Sequence, residues 1–434
     1  MFSTKSTPDI AQDTTNSSWM TKFPIVYVYT VVPAVCKHGL PGYIKESLEQ
    51  ALFTQPDCAI VMISNYAECR EIEKTVYKIG NIVKIDATNI LSNRTRQFAN
   101  LSREIFVADG LNELWITSAL RFFIMEDFMV AHNFNEILHV EADNMLYGNI
   151  SSILPILRTG YKGLAATPLT AGKYFITASV FWISDVSFLI KFNDFLISMG
   201  TNKDNAFMIY LGWLRRYACC KKGGYNPDAN GDGIKPFAVN EMSMLAFYHK
   251  FNPTELKLFP VVPYYNSYVR NRYICDLPSF GPDGKQVGPS TGTGIWDANS
   301  WGQYIGGTSK KRGRDKGFTD SSHITGQAIG ATHCKIEFIC GNQSTIKENQ
   351  TAIEAYHEYT QRLNGTRTET ETENEKAESS KLKLKLKVNQ QRHCYTAPFV
   401  RCAEDYPWTP LWNLHVHSKH TMDYRSVTCP CPAD

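Results

Sequence analysis

The chain has 434 residues, 43% of them hydrophobic and 20% charged, which is enough to bury a large core as one elaborated domain or two closely joined ones. A formal net charge of +3 excludes the strongly basic footprint of a nucleic-acid binder. No run of roughly 18 apolar residues occurs, and the polar start MFSTKSTPDIAQDTTNSSWM lacks a basic-then-apolar pattern, so neither a transmembrane span nor a secretory leader is expected.

Residues 1–22 read as a flexible tail. FPIVYVYTVVP, apolar and rich in β-branched and aromatic residues, has the length of a buried strand. A helical pattern follows with Ile44, Leu48 and Leu52 on one face, then two further strand runs, CAIVMIS and NIVKIDA. A long helix is expected from Leu111 to about Asn133, then the strand NEILHVEAD. Beyond residue 151, SILPILRTG reads as a short helix, YFITASVFWIS as a strand, and LKLFPVVP as another strand. DVSFLIKFNDFLISM, DNAFMIYLGWLRRYACC and VNEMSMLAFYHK read as helices. Strands alternating with helices predict an α/β fold: a mostly parallel, doubly wound sheet with irregular C-terminal additions. On such sheets ligands sit beyond the carboxyl ends of the strands.

Twelve of the 28 glycines fall between Gly281 and Gly330, in a stretch suited either to loops over a site or to a surface excursion. Residues 361–392 are low-complexity and charge-dense and read as a disordered insertion, after which the last 42 residues become apolar and aromatic again. Of the twelve cysteines only Cys219 with Cys220, and Cys429 with Cys431, lie close together, and no CxxC pair occurs. The expectation is mostly buried or free thiols in a reducing, cytoplasmic setting, with peripheral membrane association left open. Seven N-x-S/T sequons, at Asn16, Asn93, Asn100, Asn149, Asn342, Asn349 and Asn364, suit a secretory lumen instead.

Four constellations can carry chemistry. In ILHVEADNMLYG, Glu141 and Asp143 stand two apart, so in an extended strand both point the same way from its end. Two such carboxylates form a hard-oxygen site for Mn²⁺ or Mg²⁺ bridging a diphosphate; the plain alternative is a strand end that caps a turn. In WNLHVHSKHT, alternation puts Asn413, His415, His417 and Lys419 on one face. A histidine there would be a further metal ligand and Lys419 a neutraliser of departing phosphate. Competing readings are a solvated edge-strand face, or zinc held by His415, His417, Cys429 and Cys431.

Third, Thr117, Ser118 and Arg121 form a narrow polar stripe on an otherwise apolar helix. A buried arginine needs an anion, either a carboxylate such as Asp127 or Asp143, or a bound diphosphate. Fourth, Glu241 opens a helix in PFAVNEMSML, as a proton acceptor or simply a first-turn glutamate favoured by the helix dipole. Asp297 and Gln303, in GTGIWDANSWGQYIGG, offer an acceptor contact or an ordinary turn. NPDANGDGIKPF opens like a calcium loop but has Val239 at the twelfth position, and reads better as an Asx-rich turn.

Taken in order, these motifs resemble the GT-A glycosyltransferases, bacterial and viral polysaccharide-type members in particular and, distantly, the retaining glycogenin and galactosyltransferase-type families. The resemblance rests on ILHVEADNML, YFITASVFWIS, NEMSML and LHVHSK, over roughly residues 23–265 and 408–421. It implies a Rossmann-related fold and transfer of a sugar from a nucleotide-diphosphate sugar to an acceptor hydroxyl, with Mn²⁺ or Mg²⁺ as cofactor and a glycan or polysaccharide as acceptor. It places Glu141 and Asp143 on the metal, His415 or His417 as the third ligand, and Lys419 on the diphosphate. The sequence departs from the family in having Glu at the first acidic position and no Gly and Lys-Pro-Trp after the late histidine. The expected division is a tail (1–22), a nucleotide-sugar half (23–150), an acceptor half with glycine-rich loops (151–340), an insertion (341–392), and a segment (393–434) that returns to the active site. The alternatives are a sugar-phosphate nucleotidyltransferase and a catalytically silent carbohydrate-binding protein.

Overall fold

A computed structural model describes residues 14–30, 36, 38–106, 112–170, 175–201, 209–210, 240–262, 294–306, 323–326, 329, 334–341, 395–401, 409–416, 419 and 421–426. The apolar runs become strands: β1 (Phe23–Val28), β2 (Cys58–Ser64), β3 (Val83–Asp86) and β4 (Ile137–Val140). They are followed by β5 (Asn144–Leu146), β6 (Leu164–Pro168), β7 (Ile176–Ile183) and β8 (Leu256–Leu258). Seven of these form one sheet in the order β3-β2-β1-β4-β7-β6-β8. β3, β2, β1 and β4 run parallel, in a register that sets Ile25 beside Ile60 and Leu138. β7 enters antiparallel between β4 and β6, and β8 closes the far edge parallel to β6.

Every residue of β2, β4 and β7 is buried, because helices cover both faces of the sheet and leave no wet side. On one face Ile25, Tyr27, Ile60 and Met62 pack against α1 (Gly42–Thr54), α2 (Arg70–Tyr77) and, later in the chain, α6 (Ile150–Gly160). A short α3 (Ala87–Ile90) leads into the opposite layer. That layer comprises α4 (Asn93–Ile105), α5 (Asn112–Ala131), α7 (Val186–Thr201) and α8 (Glu241–Phe251), which cover Val26, Val61 and Ile63. α5 is apolar almost all round because it runs through this core; Phe122 packs edge-on against both Phe181 and Phe192. The doubly wound α/β class predicted above is the observed one, and the halves expected on either side of residue 150 share its single sheet. Among the described residues no helix is long and apolar enough to cross a membrane.

The C-terminal pieces build a third core. β9 (Lys335–Gly341), β10 (Tyr395–Arg401) and β11 (Thr409–Pro410) form a small antiparallel sheet. β12 (Asn413–His415) pairs antiparallel with β5. Met145 and Tyr147 from β5 and its end meet Leu414, Val416 and Trp301 of α9 (Ser300–Gly306) in that core. β5, β6, β9, β10 and β11 escape the sequence reading because they are short or lie where composition, not periodicity, dominates. The helix expected over DNAFMIYLGWLRRYACC falls, apart from residues 209–210, outside the described residues, as do the Asx-rich turn and the 361–392 insertion.

The expectation of free thiols is corrected for three of the described cysteines. Cys36 and Cys69 form a disulfide across 33 residues, with their Cα atoms 5.0 Å apart, and Cys334 is also disulfide-bonded. Cys58 is buried and free. Spacing along the chain hid the first pair, because it is the packing of α2 beside the loop after β1 that brings the two sulfurs together.

Phe122→Ala empties a closed aromatic site and should cost about 3–5 kcal/mol of stability. Urea unfolding followed by fluorescence reads this out, and a loss below about 1 kcal/mol would mean that α5 does not pack as described.

Candidate functional site

β4 stops at Val140, between β1 and β7, so the chain emerges at the carboxyl end of a central strand. Glu141 N still donates to Ser179 O at 2.9 Å, and Asn144 N then donates to Glu141 O at 3.0 Å, closing a turn. Glu141 and Asp143 therefore converge through a turn and not through the two-residue period of a continuing strand. The backbone of β5 is held along both edges. From one side α1 offers three polar side chains and its C-cap a fourth: Ser47 donates to Asn144 O, Gln50 and Thr54 to Leu146 O, and Gln55 to Gly148 O, just past β5, at 2.6 Å. From the other side come β12, with His415 opposite Asn144, and the Val416 N–H, which donates to Asp143 O at 3.0 Å.

This pairing sets the imidazole of His415 between the two carboxylates. Its Nε2 lies 3.1 Å from Asp143 Oδ2 and its Nδ1 3.8 Å from Glu141 Oε2. Nδ1 is buried and has no hydrogen-bond partner. One ligand atom from each of Glu141, Asp143 and His415 can be chosen so that all lie within 4.8 Å of one another. The three side chains keep 18%, 12% and 10% of their surface exposed, so the cluster is not wholly closed off from solvent. Lys419 reaches the same point, its ammonium paired with Asp143 Oδ2 and 5.0 Å from the centre of the Tyr43 ring. Lys419 gets there through a turn in which its own φ is +63°, not by strand alternation, which ends at Val416. His417, Cys429 and Cys431 lie outside the described residues.

Arg121 projects from α5 beneath this group. Its guanidinium pairs with Glu141 Oε1 through Nη1 and lies 3.4 Å from Glu241 Oε1 through Nη2. The partner expected among Asp127, Asp143 and a diphosphate is thus neither aspartate: Asp127 instead accepts from Thr95 and from the Ser92 N–H at 2.9 Å. Thr117, one turn before Arg121, donates its hydroxyl to Leu114 O at 3.0 Å. Glu241 is the first residue of α8, set there by a capping box between Asn240 and Ser243.

Burial pushes the Glu241 carboxyl up to about 7; Arg121 opposes the rise and the negative charge of Glu141 adds to it. Burial pushes Glu141 up as well, but Arg121 and His415 outweigh it and hold this carboxyl at about 2. Burial lowers the Lys419 ammonium to about 8, against a smaller opposing pull from Glu141. His139, which the motif reading passed over, sits fully buried on β4 with Nδ1 2.9 Å from Val26 O; burial drives it down to about 3, so it stays neutral. Tyr43 was also missed, since nothing in its helical pattern marks it as a neighbour of Lys419.

Asp297 differs from its expected role. It is fully buried, and its carboxylate accepts from the N–H groups of Trp301 at 2.9 Å, Gly302 at 2.8 Å and His415 at 2.9 Å. An acceptor contact would cost those three bonds, so the structure uses Asp297 to tie α9 to β12. Asn413 completes the tie, donating to Asn144 Oδ1 at 2.7 Å and accepting from the Asp297 N–H at 2.9 Å. Gly302 is packed so closely that a Cβ there would stand 1.9 Å from His415 O.

No known family model matches the chain, and no curated protein sequence matches it. Among solved structures it is similar to the apo form of mouse xyloside xylosyltransferase 1, at 9% identity over 55% of this chain and 85% of that one, with a TM-score of 0.34. It is similar to the PaToxG glycosyltransferase at 10% identity, over 53% and 69% of the two chains, with a TM-score of 0.31. It is also similar to the apo glycosyltransferase GlyE of Streptococcus pneumoniae at 16% identity, over 43% and 39%, with a TM-score of 0.28. All three are glycosyltransferases, and at these scores the likeness is a partial one of fold.

Unfolded glutamate titrates near 4.5 and Glu241 in the fold near 7, so between those values the native chain holds the extra proton. Its contribution to stability is full below about pH 4.5 and is lost as pH rises through 7. The stability of the wild type relative to Glu241→Gln should therefore fall across that window in urea titrations. A difference that stays constant with pH would show that Glu241 titrates normally.

Proposed function

We propose that this protein is a glycosyltransferase that moves a sugar from a nucleotide-diphosphate sugar to a hydroxyl of a glycan acceptor, with a divalent cation at Glu141, Asp143 and His415. The observation that carries this reading is the convergence of two carboxylates and an imidazole, with Lys419 beside them, at the carboxyl end of β4. The donor set fits such an ion: two hard carboxylates supply charge, and the buried Nδ1 of His415 lacks any other partner. A nitrogen among the ligands suits Mn²⁺ better than Mg²⁺, whose partners are almost all oxygen. When bound, the cation would stabilise negative charge on the diphosphate as it departs.

The chain's own residues divide the remaining work. Arg121 holds Glu141 ionised and oriented, so that of the two partners expected for it, a carboxylate or a diphosphate, the carboxylate is the one it meets. Lys419 pairs with Asp143 here and supplies the ammonium that would meet departing phosphate oxygens. Thr117 stays a more distant candidate on the same helix. Glu241, with one buried carboxylate oxygen unpartnered and its pKa near neutrality, is the proton acceptor of this proposal, because general bases work best when poised near the working pH. His417 remains a candidate ligand by its sequence position alone.

Calorimetry with UDP or GDP, with and without Mn²⁺, tests the reading. Nucleotide and cation should bind together, and Asp143→Asn should weaken the metal-dependent affinity about 100-fold or more, since even outer partners of metal ligands are worth about 10–100-fold. Equal nucleotide affinity with and without Mn²⁺ would sink the metal assignment, and sugar binding without either would favour a silent lectin-like protein. Gly302→Ala, which forces the His415 backbone to move, should lower Mn²⁺ affinity by about 10–100-fold while the seven-stranded sheet persists by circular dichroism. Unaltered Mn²⁺ binding in that variant would remove His415 from the ligand set.

A further inference from the structure

The sequons are a sequence motif that the proposed activity leaves unused, and the fold treats them unequally. Asn93 and Asn100 both lie on α4, seven residues or about two turns apart, and both are exposed. They therefore share one stripe of the helix, with exposed Gln97 between them. The opposite side of α4 is committed to the core through Phe98 and Ala99. A bulky substituent on either asparagine would project into solvent without disturbing packing. Asn149 is the reverse case: it is buried, and its side-chain oxygen accepts from the Ser151 N–H at 3.0 Å to cap α6. The redox state of the chain supplies an independent observation. Cys36 with Cys69, and Cys334 with a partner of its own, are disulfide-bonded, and such bonds form and persist in secretory compartments and are rare in the cytosol.

We infer that the chain matures in an oxidising secretory lumen and carries N-linked glycans on Asn93 and Asn100, with Asn149 left bare. The hydroxyl that completes each sequon decides when this happens. Thr95 Oγ1 is buried against Asp127, and Ser102 Oγ is buried and donates to Ala99 O at 3.1 Å. Neither can be read by a modifying enzyme once α4 has docked, so transfer precedes folding of this helix; a chain glycosylated on Asn149 in that window could not bury the cap of α6 and would not accumulate as folded protein. In the step itself the side-chain amide nitrogen bonds to C1 of an oligosaccharide carried on a lipid diphosphate. The C1–oxygen bond breaks, and the lipid diphosphate leaves with the bonding electrons while the amide gives up one proton. This placement is independent of the sugar-transfer reading, and either can fail without the other.

The test is peptide mass spectrometry on the protein isolated from the cells that make it, before and after an amidase that releases N-glycans and converts each glycosylated Asn to Asp. Conversion at both Asn93 and Asn100, with Asn149 unconverted, is the expected result. If either of the first two peptides is wholly unmodified in the untreated protein, or if Asn149 carries a glycan, the assignment is overturned. Asn93→Gln and Asn100→Gln, both exposed and compatible with a helix, should each remove one glycan from the intact mass and leave the fold in place. Alkylation without reduction should spare Cys36 and Cys69, and their labelling in the native protein would equally overturn the lumenal assignment.

Discussion

The candidate site depends on the pairing of β12 with β5. Asp143 and Lys419 are 276 residues apart in sequence, and nothing local can hold them in contact. The pairing does so because, among the described residues, β5 has no strand neighbour in the main sheet and is held instead by α1 and its C-cap, through Ser47, Gln50, Thr54 and Gln55. Side-chain bonds from a rigid helix fix one edge of β5, which leaves the other edge free to bind the C-terminal strand in a single register. A slip of one residue would turn His415 into the core and Leu414 toward the carboxylates, an exchange that burial of Leu414 and Val416 forbids.

Asp297 and Gly302 complete the same device from a third direction. A fully buried carboxylate that accepts three backbone N–H bonds is costly to leave unsatisfied, so it fixes the relation of α9 to β12. The missing side chain at Gly302 lets that helix approach His415 O closely. Gln50 and Arg425 extend the hold to the end of the described chain, the first through Ser426 and the second through Glu49. The site is thus framed by side chains that carry none of its chemistry.

Electrostatics explain why the cluster sits where it does. Three carboxylates (Glu141, Asp143 and Glu241) crowd the carboxyl end of β4, and a low-dielectric setting penalises each of them unless it is paired. Arg121, rising from α5, satisfies Glu141 first and leaves Glu241 only partly compensated, which is why their pKa values separate to about 2 and about 7. Lys419 accepts a left-handed backbone to bring its charge to Asp143. Backbone conformations of this kind survive only where the surroundings hold them, and they concentrate at working sites.

Much of this was legible in the chain itself. Apolar runs of strand length between helical patterns determined the doubly wound sheet, because a strand buried on both faces must be largely apolar, and β2 and β7 are so apart from Ser64, Thr177 and Ser179. The acidic turn after β4 and the alternation in WNLHVH also stood out, since charged residues that directly follow a buried strand lie at its exposed end. Tertiary structure alone decided which of these groups meet. It gave Arg121 to Glu141 and Glu241 and not to Asp127, turned Asp297 inward as a tie, and closed Cys36 onto Cys69. Each of those outcomes depends on which elements pack side by side, and the periodicity of a sequence reports the face a residue occupies, never the neighbour that face will find.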